Sequence, residues 1–304
     1  MAEIGRLLTA MVTPFDEEGK VGYEQAQRLA LALLDSGSDG VVLAGTTGEA
    51  PTLSHEEKIR LFGLVKQAVG DRGAVIAGTG TYNTAESVEL SREAEFVAQV
   101  DGLLLTCPYY NRPPQGDLYA HFSRIASSVP IPCILYNIPS RTGVNMTAET
   151  TLKLLEDIPN IVGIKEASGD LGQIGRVIAG APEGKYVWSG DDQLTLPILS
   201  IGGHGVICVV SHLFGKSMKQ MIQAYLEGDV VTARDTHLRL LPFMSTLMTA
   251  ASNPIPIKYA LNEMRVRVGG LRLPLSEAEG EVAGKIQQEL LKALPVDIAY
   301  PIPA

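Results

Sequence analysis

GVVLAGTTGEAPTLSHEEKIRLFGLVKQAV, Gly40 to Val69, sets the reading of the whole chain. Gly40 to Ala44 is a short apolar run carrying two valines, the pattern of a strand covered on both faces. Ser54 followed by Glu57 makes a capping box and opens a helix over His55 to Val69. The stretch is therefore one βα unit. No GxGxxG turn follows the first strand, which argues against a doubly wound open sheet.

The same alternation runs from the start of the chain to about Gly228. Strands are expected at Leu7 to Val12, Gly40 to Ala44, Ala74 to Ala77, Gly102 to Thr106, Cys133 to Tyr136, Ile161 to Lys165, Tyr186 to Ser189 and Gly205 to Val209. Helices are expected between and after them at Tyr23 to Asp35, His55 to Val69, Ala85 to Ala98, Gly116 to Ser127, Ala148 to Glu156, Leu171 to Ala179, Asp192 to Ile201 and Lys216 to Leu226. Eight such units in a little over two hundred residues predict an α/β chain folded as a (β/α)8 TIM barrel over residues 1–228. After Gly228 the strand pattern stops. Helical stretches near Val230 to Thr249, Ile255 to Met264 and Ser276 to Leu294 make residues 229–304 a C-terminal helical appendage.

Composition narrows the function classes. With 304 residues, 45% hydrophobic and 19% charged, the chain buries a large core. Its 25 Lys and Arg against 34 Asp and Glu leave a charge of -9, which offers no basic surface for nucleic acid or anionic lipid. Cys107, Cys133 and Cys208 form no CxxC and sit in apolar strand-like stretches, as suits a reducing cytosol. The segment MAEIGRLLTAMVTPF is too short in apolar residues for a secretory signal, so a cytoplasmic location is expected. Gln193 to Gly215 holds no Asp, Glu, Lys or Arg, but Pro197, Gly202, Gly203 and Gly205 interrupt it, giving a buried helix, a turn and a strand in place of a membrane span.

In a barrel of this kind the chemistry lies just beyond the C-terminal strand ends. After the second strand, GTTGE offers two glycines for close backbone approach and the hydroxyls of Thr46 and Thr47 for an anion. An ordinary tight turn is the plainer reading. After the fourth comes PYYNRP, two tyrosines between prolines, and after the fifth YNIPSRTG, with the Tyr136 phenol at the strand end and Arg141 beyond it. Arg141 is suited to grip a carboxylate bidentately, or is a plain surface charge. The sixth strand ends on Lys165. A free lysine, with a pKa of ~10.4, is almost wholly protonated at neutral pH, and burial with nearby cations can bring such an amine to ~7 to 8. A strand-end lysine that snorkels to solvent is the alternative. Lys165, Tyr136, Arg141 and Thr46 converging on one rim outweigh it.

Other constellations fail. The five histidines show no HExxH-type spacing, so no metal is expected. Gly215, Lys216 and Ser217 resemble the end of a P-loop, but Val210 stands where its leading glycine belongs. No GxSxG elbow exists, and Cys107 has no histidine near it in sequence.

Taken together, GTTGE, PYYNRP, YNIPSRTG, GIKEASGD, SGDD at Ser189 to Asp192 and GGHGVI at Gly202 to Ile207 resemble the dihydrodipicolinate synthase and N-acetylneuraminate lyase superfamily over nearly the whole chain. PYYNRP together with the RTG at Arg141 is similar to the dihydrodipicolinate synthase branch. The resemblance implies a (β/α)8 barrel that condenses pyruvate with aspartate semialdehyde in lysine and diaminopimelate biosynthesis. It implies no cofactor beyond a covalent pyruvate Schiff base, and a homotetramer assembled as a dimer of dimers. It gives Lys165 the role of Schiff-base amine and Tyr136 that of proton shuttle. Thr46 and Tyr110 become its relay partners, with Tyr110 supplied across a subunit interface. Thr47 would hold the pyruvate carboxylate, Arg141 the carboxylate of the aldehyde substrate, and Gly190 and Ile207 would line the pocket.

One departure stands out. Where lysine-inhibited members carry Ser, His and Asn in their allosteric pocket, this chain has Ala50, Lys58 and Tyr82, so weak or no inhibition by lysine is expected. Two competing readings remain: an aldolase of the same superfamily acting on a keto sugar acid, and a catalytically silent barrel that binds a keto acid.

Overall fold

The computed structural model describes residues 4–299. The N-terminal reading and the 229–304 region therefore extend, by residues 1–3 and 300–304, outside the described residues. The elements follow in order: β1 (Leu7–Ala10), α1 (Tyr23–Asp35), β2 (Gly40–Leu43), α2 (His55–Val69), β3 (Ala74–Gly78), α3 (Thr84–Phe96), β4 (Gly102–Thr106), α4 (Gln115–Ala126), β5 (Cys133–Asn137), α5 (Pro139–Thr142), α6 (Ala148–Asp157), β6 (Ile161–Glu166), α7 (Leu171–Gly180), β7 (Tyr186–Ser189), α8 (Thr195–Ser200), β8 (Gly205–Cys208), α9 (Ser211–Leu226), α10 (Val230–Thr249), α11 (Ile255–Glu263) and α12 (Gly280–Ala293). Short 3₁₀ turns occupy Ala50–Thr52 and Asp192–Leu194.

Every strand pairs in parallel with its sequence neighbour, and β1 pairs with β8 through Leu8 and Ile207, closing the barrel. This is the (β/α)8 fold expected from the strand pattern. Alternate residues point inward. Leu8, Ala10, Val42, Ile76, Leu104, Ile134, Trp188 and Ile207 fill the interior as one apolar cluster. The single tryptophan, Trp188, is fully buried and donates its indole N–H to the Gly5 carbonyl at 3.0 Å. Gly163 makes room for it, since a Cβ there would lie 2.8 Å from the Trp188 ring and 2.1 Å from the Tyr186 carbonyl oxygen. A second, larger core lies between the strands and the helices and runs without a break into the C-terminal helices, where Phe243 meets Phe214 edge-on at 5.6 Å.

Several boundaries differ from expectation for identifiable reasons. β1 stops at Ala10, short of Val12, because the Val12 N–H is taken by His212 Nε2 at 3.1 Å and leaves the sheet. β8 stops at Cys208, because the N–H groups of Val209 and Val210 turn to the Asp192 carboxylate. The helix expected over Asp192 to Ile201 splits into a 3₁₀ turn and α8. α9 begins at Ser211, five residues before Lys216, with a break at Phe214. The last helix starts at Gly280 and leaves Ser276 outside. Among the described residues no helix is long and apolar enough to cross a membrane. The uncharged run from Gln193 to Gly215 resolves into the second 3₁₀ turn, α8, β8 and the start of α9.

Candidate active site

Tyr136 and Lys165 are register partners across β5 and β6, in a row that continues to Thr106 on β4 and Trp188 on β7. Paired residues in a ladder share a face, and here that face is the barrel interior. The two are 3% and 5% exposed, and Lys165 Nζ lies 4.3 Å from the centre of the Tyr136 ring, within cation–π range. Lys165 therefore does not snorkel to solvent. Gly190 leaves space beside it, because a Cβ at that position would come 3.2 Å from Lys165 Cε and 2.6 Å from Ala167 Cβ. Ile207 is buried on the facing strand β8.

The supports of this pair are polar and buried. Asp192 accepts from Val209 N at 3.1 Å and Val210 N at 2.7 Å. Burial pushes its carboxyl up to about 6, while those N–H groups and the Lys165 charge pull the other way. Glu166 alternates to the outer side of β6 and accepts from Asn137, Gln173 and the Ser168 N–H, tying the ends of β5 and β6 together. Its carboxyl is also raised by burial, against those hydrogen bonds.

Next to the pair, reached through Thr106 beside Tyr136 in the ladder, opens a cavity of about 310 Å³ whose lining includes Thr46, Thr106, Tyr109, Ile138, Arg141 and Asn253 but neither Tyr136 nor Lys165. Larger open grooves lie along α9 and beside Phe15 and Asn262, and none of the expected site residues lines them. The GTTGE loop reaches the mouth through Thr46 and buries Thr47. Its two glycines differ in use. A Cβ on Gly45 would meet only Val42 Cγ1, at 4.0 Å, whereas one on Gly48 would lie 3.0 Å from Ala44 N and 3.1 Å from the Met11 carbonyl oxygen, so Gly48 serves chain packing and not ligand approach. Arg141 stands on α5, a single turn started by Pro139 that the sequence pattern did not reveal. Its Nη2 donates to the Asn253 carbonyl at 3.4 Å.

Tyr110 is not brought to this mouth within one chain. It is 93% exposed with φ +74, and it is Tyr109 that lines the cavity and packs edge-on against Tyr82 at 5.1 Å. Cys107 has only a long contact to Asn137, and burial raises its thiol, so it is no nucleophile. Among the described residues no group of three or more His, Cys, Asp or Glu is placed to hold a metal ion.

Two residues at the site carried no local signal. Asn253, in the corner between α10 and α11, is 7% exposed and donates from Nδ2 to Thr47 Oγ1 at 2.9 Å. Lys258 on α11 forms a fully buried ion pair with Glu49, the last residue of GTTGE, at 2.6 Å. Burial lowers the Lys258 amine, and Glu49 opposes that shift.

Comparison with known proteins places this geometry. The model of the dihydrodipicolinate synthetase family matches residues 3–294. The 4-hydroxy-tetrahydrodipicolinate synthase of Moorella thermoacetica is 56% identical over 286 residues, 94% of this chain and 97% of that one. A dihydrodipicolinate synthase of Bacillus anthracis superposes with a TM-score of 0.93 at 40% identity, covering 97% of this chain and 100% of its own. The Cyanidioschyzon merolae enzyme, crystallised with lysine bound, does so with a TM-score of 0.93 at 43% identity over 96% and 99%.

Proposed function

The chain belongs to the dihydrodipicolinate synthetase family, and from that premise we propose that it condenses pyruvate with aspartate semialdehyde to 4-hydroxy-tetrahydrodipicolinate, through a Schiff base on Lys165. The observation that carries the assignment of the amine is the buried Lys165 and Tyr136 pair, side by side on adjacent strands in the barrel interior.

The Lys165 amine adds to the keto carbon of pyruvate, and loss of water leaves an iminium. That cation is an electron sink, so a methyl proton leaves to give an enamine with no further cofactor. The enamine carbon attacks the aldehyde carbon, forming the new carbon–carbon bond while the aldehyde oxygen takes a proton. Attack of the substrate's own amine on the iminium carbon then closes the ring and releases Lys165. Each step moves protons next to the Tyr136 phenol. With a reference pKa of ~10, a phenol does this at neutral pH only when hydrogen-bonded partners hold its charge, the role assigned to Thr46 and Tyr110. Thr47 holds the pyruvate carboxylate, Arg141 the carboxylate of the aldehyde, and Gly190 and Ile207 shape the floor.

Assembly as a homotetramer, a dimer of dimers, belongs to the same reading. It is supported by exposed apolar side chains in two places: Tyr82 and Tyr110 near the mouth, and Leu171 on α7 with Ile201 just after α8. Unpaired, buried Cys107, Cys133 and Cys208 support a cytoplasmic location. The test is substrate choice. With pyruvate fixed, aspartate semialdehyde should give cyclised product, and turnover of keto sugar aldehydes without it would reverse the assignment of the second substrate.

A further inference from the structure

Thr47 and Arg141 come from loops after different strands, yet one residue touches both. Asn253 donates from Nδ2 to Thr47 Oγ1 at 2.9 Å, and its backbone carbonyl accepts from Arg141 Nη2 at 3.4 Å. We propose that Asn253 is a positioning residue that joins the two carboxylate anchors, so that pyruvate and the aldehyde are held by one connected hydrogen-bonded unit. The proposal rests on the reading of Thr47 and Arg141 given above and adds a residue to it.

A threonine hydroxyl has one hydrogen to give and two lone pairs. The Asn253 amide occupies a lone pair, and no described residue accepts the hydroxyl hydrogen, which leaves it directed to an incoming carboxylate. Arg141, an exposed side chain on a single helical turn, is held toward the mouth by the Asn253 carbonyl. The amide of Asn253 is buried, with Oδ1 lacking any partner.

The unit is also anchored. Two residues past Thr47, Glu49 pairs with Lys258 at 2.6 Å and accepts from the Arg272 N–H at 3.0 Å, while Lys258 donates to the Gly270 carbonyl at 2.7 Å. The α10 to α11 corner is thereby locked against the GTTGE loop, and Asn253 has little freedom to drift from Thr47.

The test is steady-state kinetics on the full chain with each substrate varied in turn. Asn253→Ala removes the amide hydrogen bond to Thr47 and keeps the backbone carbonyl that meets Arg141, so it should raise KM for pyruvate about tenfold, the scale of one lost hydrogen bond, with a smaller effect on KM for aspartate semialdehyde and kcat within about threefold. Asn253→Asp should raise the pyruvate KM further and the aspartate semialdehyde KM with it. It has the same size, but its carboxylate cannot donate to Thr47 and places a negative charge between two groups that bind carboxylates. If Asn253 only filled space, Asp would lower the melting temperature by burying a charge and leave the KM values of the folded enzyme unmoved. Melting temperatures control for folding, and Asp, being isosteric, decides the matter if Ala unfolds the chain. Unchanged KM values in the folded variants, or a loss confined to kcat, overturn the proposal. Borohydride trapping of pyruvate on the unmutated chain separates this from the broader reading: no adduct there removes both, whereas an adduct with unmoved KM values in the variants removes only the role of Asn253.

Discussion

A lysine amine attacks a carbonyl only where a neighbour moves its protons, and the Tyr136 ring 4.3 Å from Lys165 Nζ supplies that neighbour. Tyr136→Phe keeps the packing of a fully buried side chain and removes only the hydroxyl. It should lower kcat by about 10²- to 10⁴-fold with little change in melting temperature, read by product assay and thermal unfolding. Arg141→Ala should raise KM for aspartate semialdehyde and leave that for pyruvate nearly unmoved if, as proposed, Arg141 orients the aldehyde alone. Unchanged aldehyde kinetics would remove that role. Lys165, Tyr136, Thr46 and Arg141 were legible in the sequence because each follows an apolar strand run closely, and a barrel gathers its strand ends at one rim. Asn253 was not. It meets Thr47 across 206 positions of sequence, through packing of α10 and α11, and Ser-Asn-Pro between two helices reads simply as a turn.

The strands and helices of the barrel were legible because an apolar run and an amphipathic helix have different periods, and capping residues such as Ser54 mark the starts. Their ends were less so, for they are set by distant side chains: His212 claims the Val12 N–H and Asp192 those of Val209 and Val210. His212 gives the β8 to α9 corner a pH dependence. Burial holds it neutral to about 4, while an unfolded histidine takes up its proton near 6.5. The unfolded state therefore binds more protons between those values, and stability falls as pH drops through that window, by up to about 3 kcal/mol from this group. His212→Gln, which can still accept from Val12 N, should flatten that part of the curve in urea unfolding at pH 4.5 and 7. The Glu49 and Lys258 clasp makes a second prediction at this scale. Lys258→Met strands a buried carboxylate and should cost about 3 to 5 kcal/mol, whereas adding Glu49→Gln should restore much of it. A loss in the double variant equal to the sum of the two single losses would show that the pair does not couple.

At the scale of the molecule, the closed barrel brings the candidate residues to one end, and of them Tyr110 stands 93% exposed, turned away from its own cavity. On the proposed mechanism the relay is complete only if a second copy supplies that phenol. The chain should therefore sediment as an oligomer, and Tyr110→Phe should lower kcat although the residue touches nothing in its own cavity. The mouth also bears on regulation. Ala50 and Lys58 line the cavity, and the Lys58 amine has no acidic partner within ion-pairing distance among the described residues. A second ammonium brought into that space meets like charge, so 1 mM lysine should reduce activity by less than about twofold. A clear fall below that concentration would contradict it. The central claim is the covalent one, and it is tested most directly by borohydride reduction in the presence of pyruvate, followed by intact mass and peptide mapping. A reduced pyruvyl adduct on Lys165, absent from Lys165→Arg, is the predicted result; an unmodified chain, or an adduct on another lysine, would contradict it.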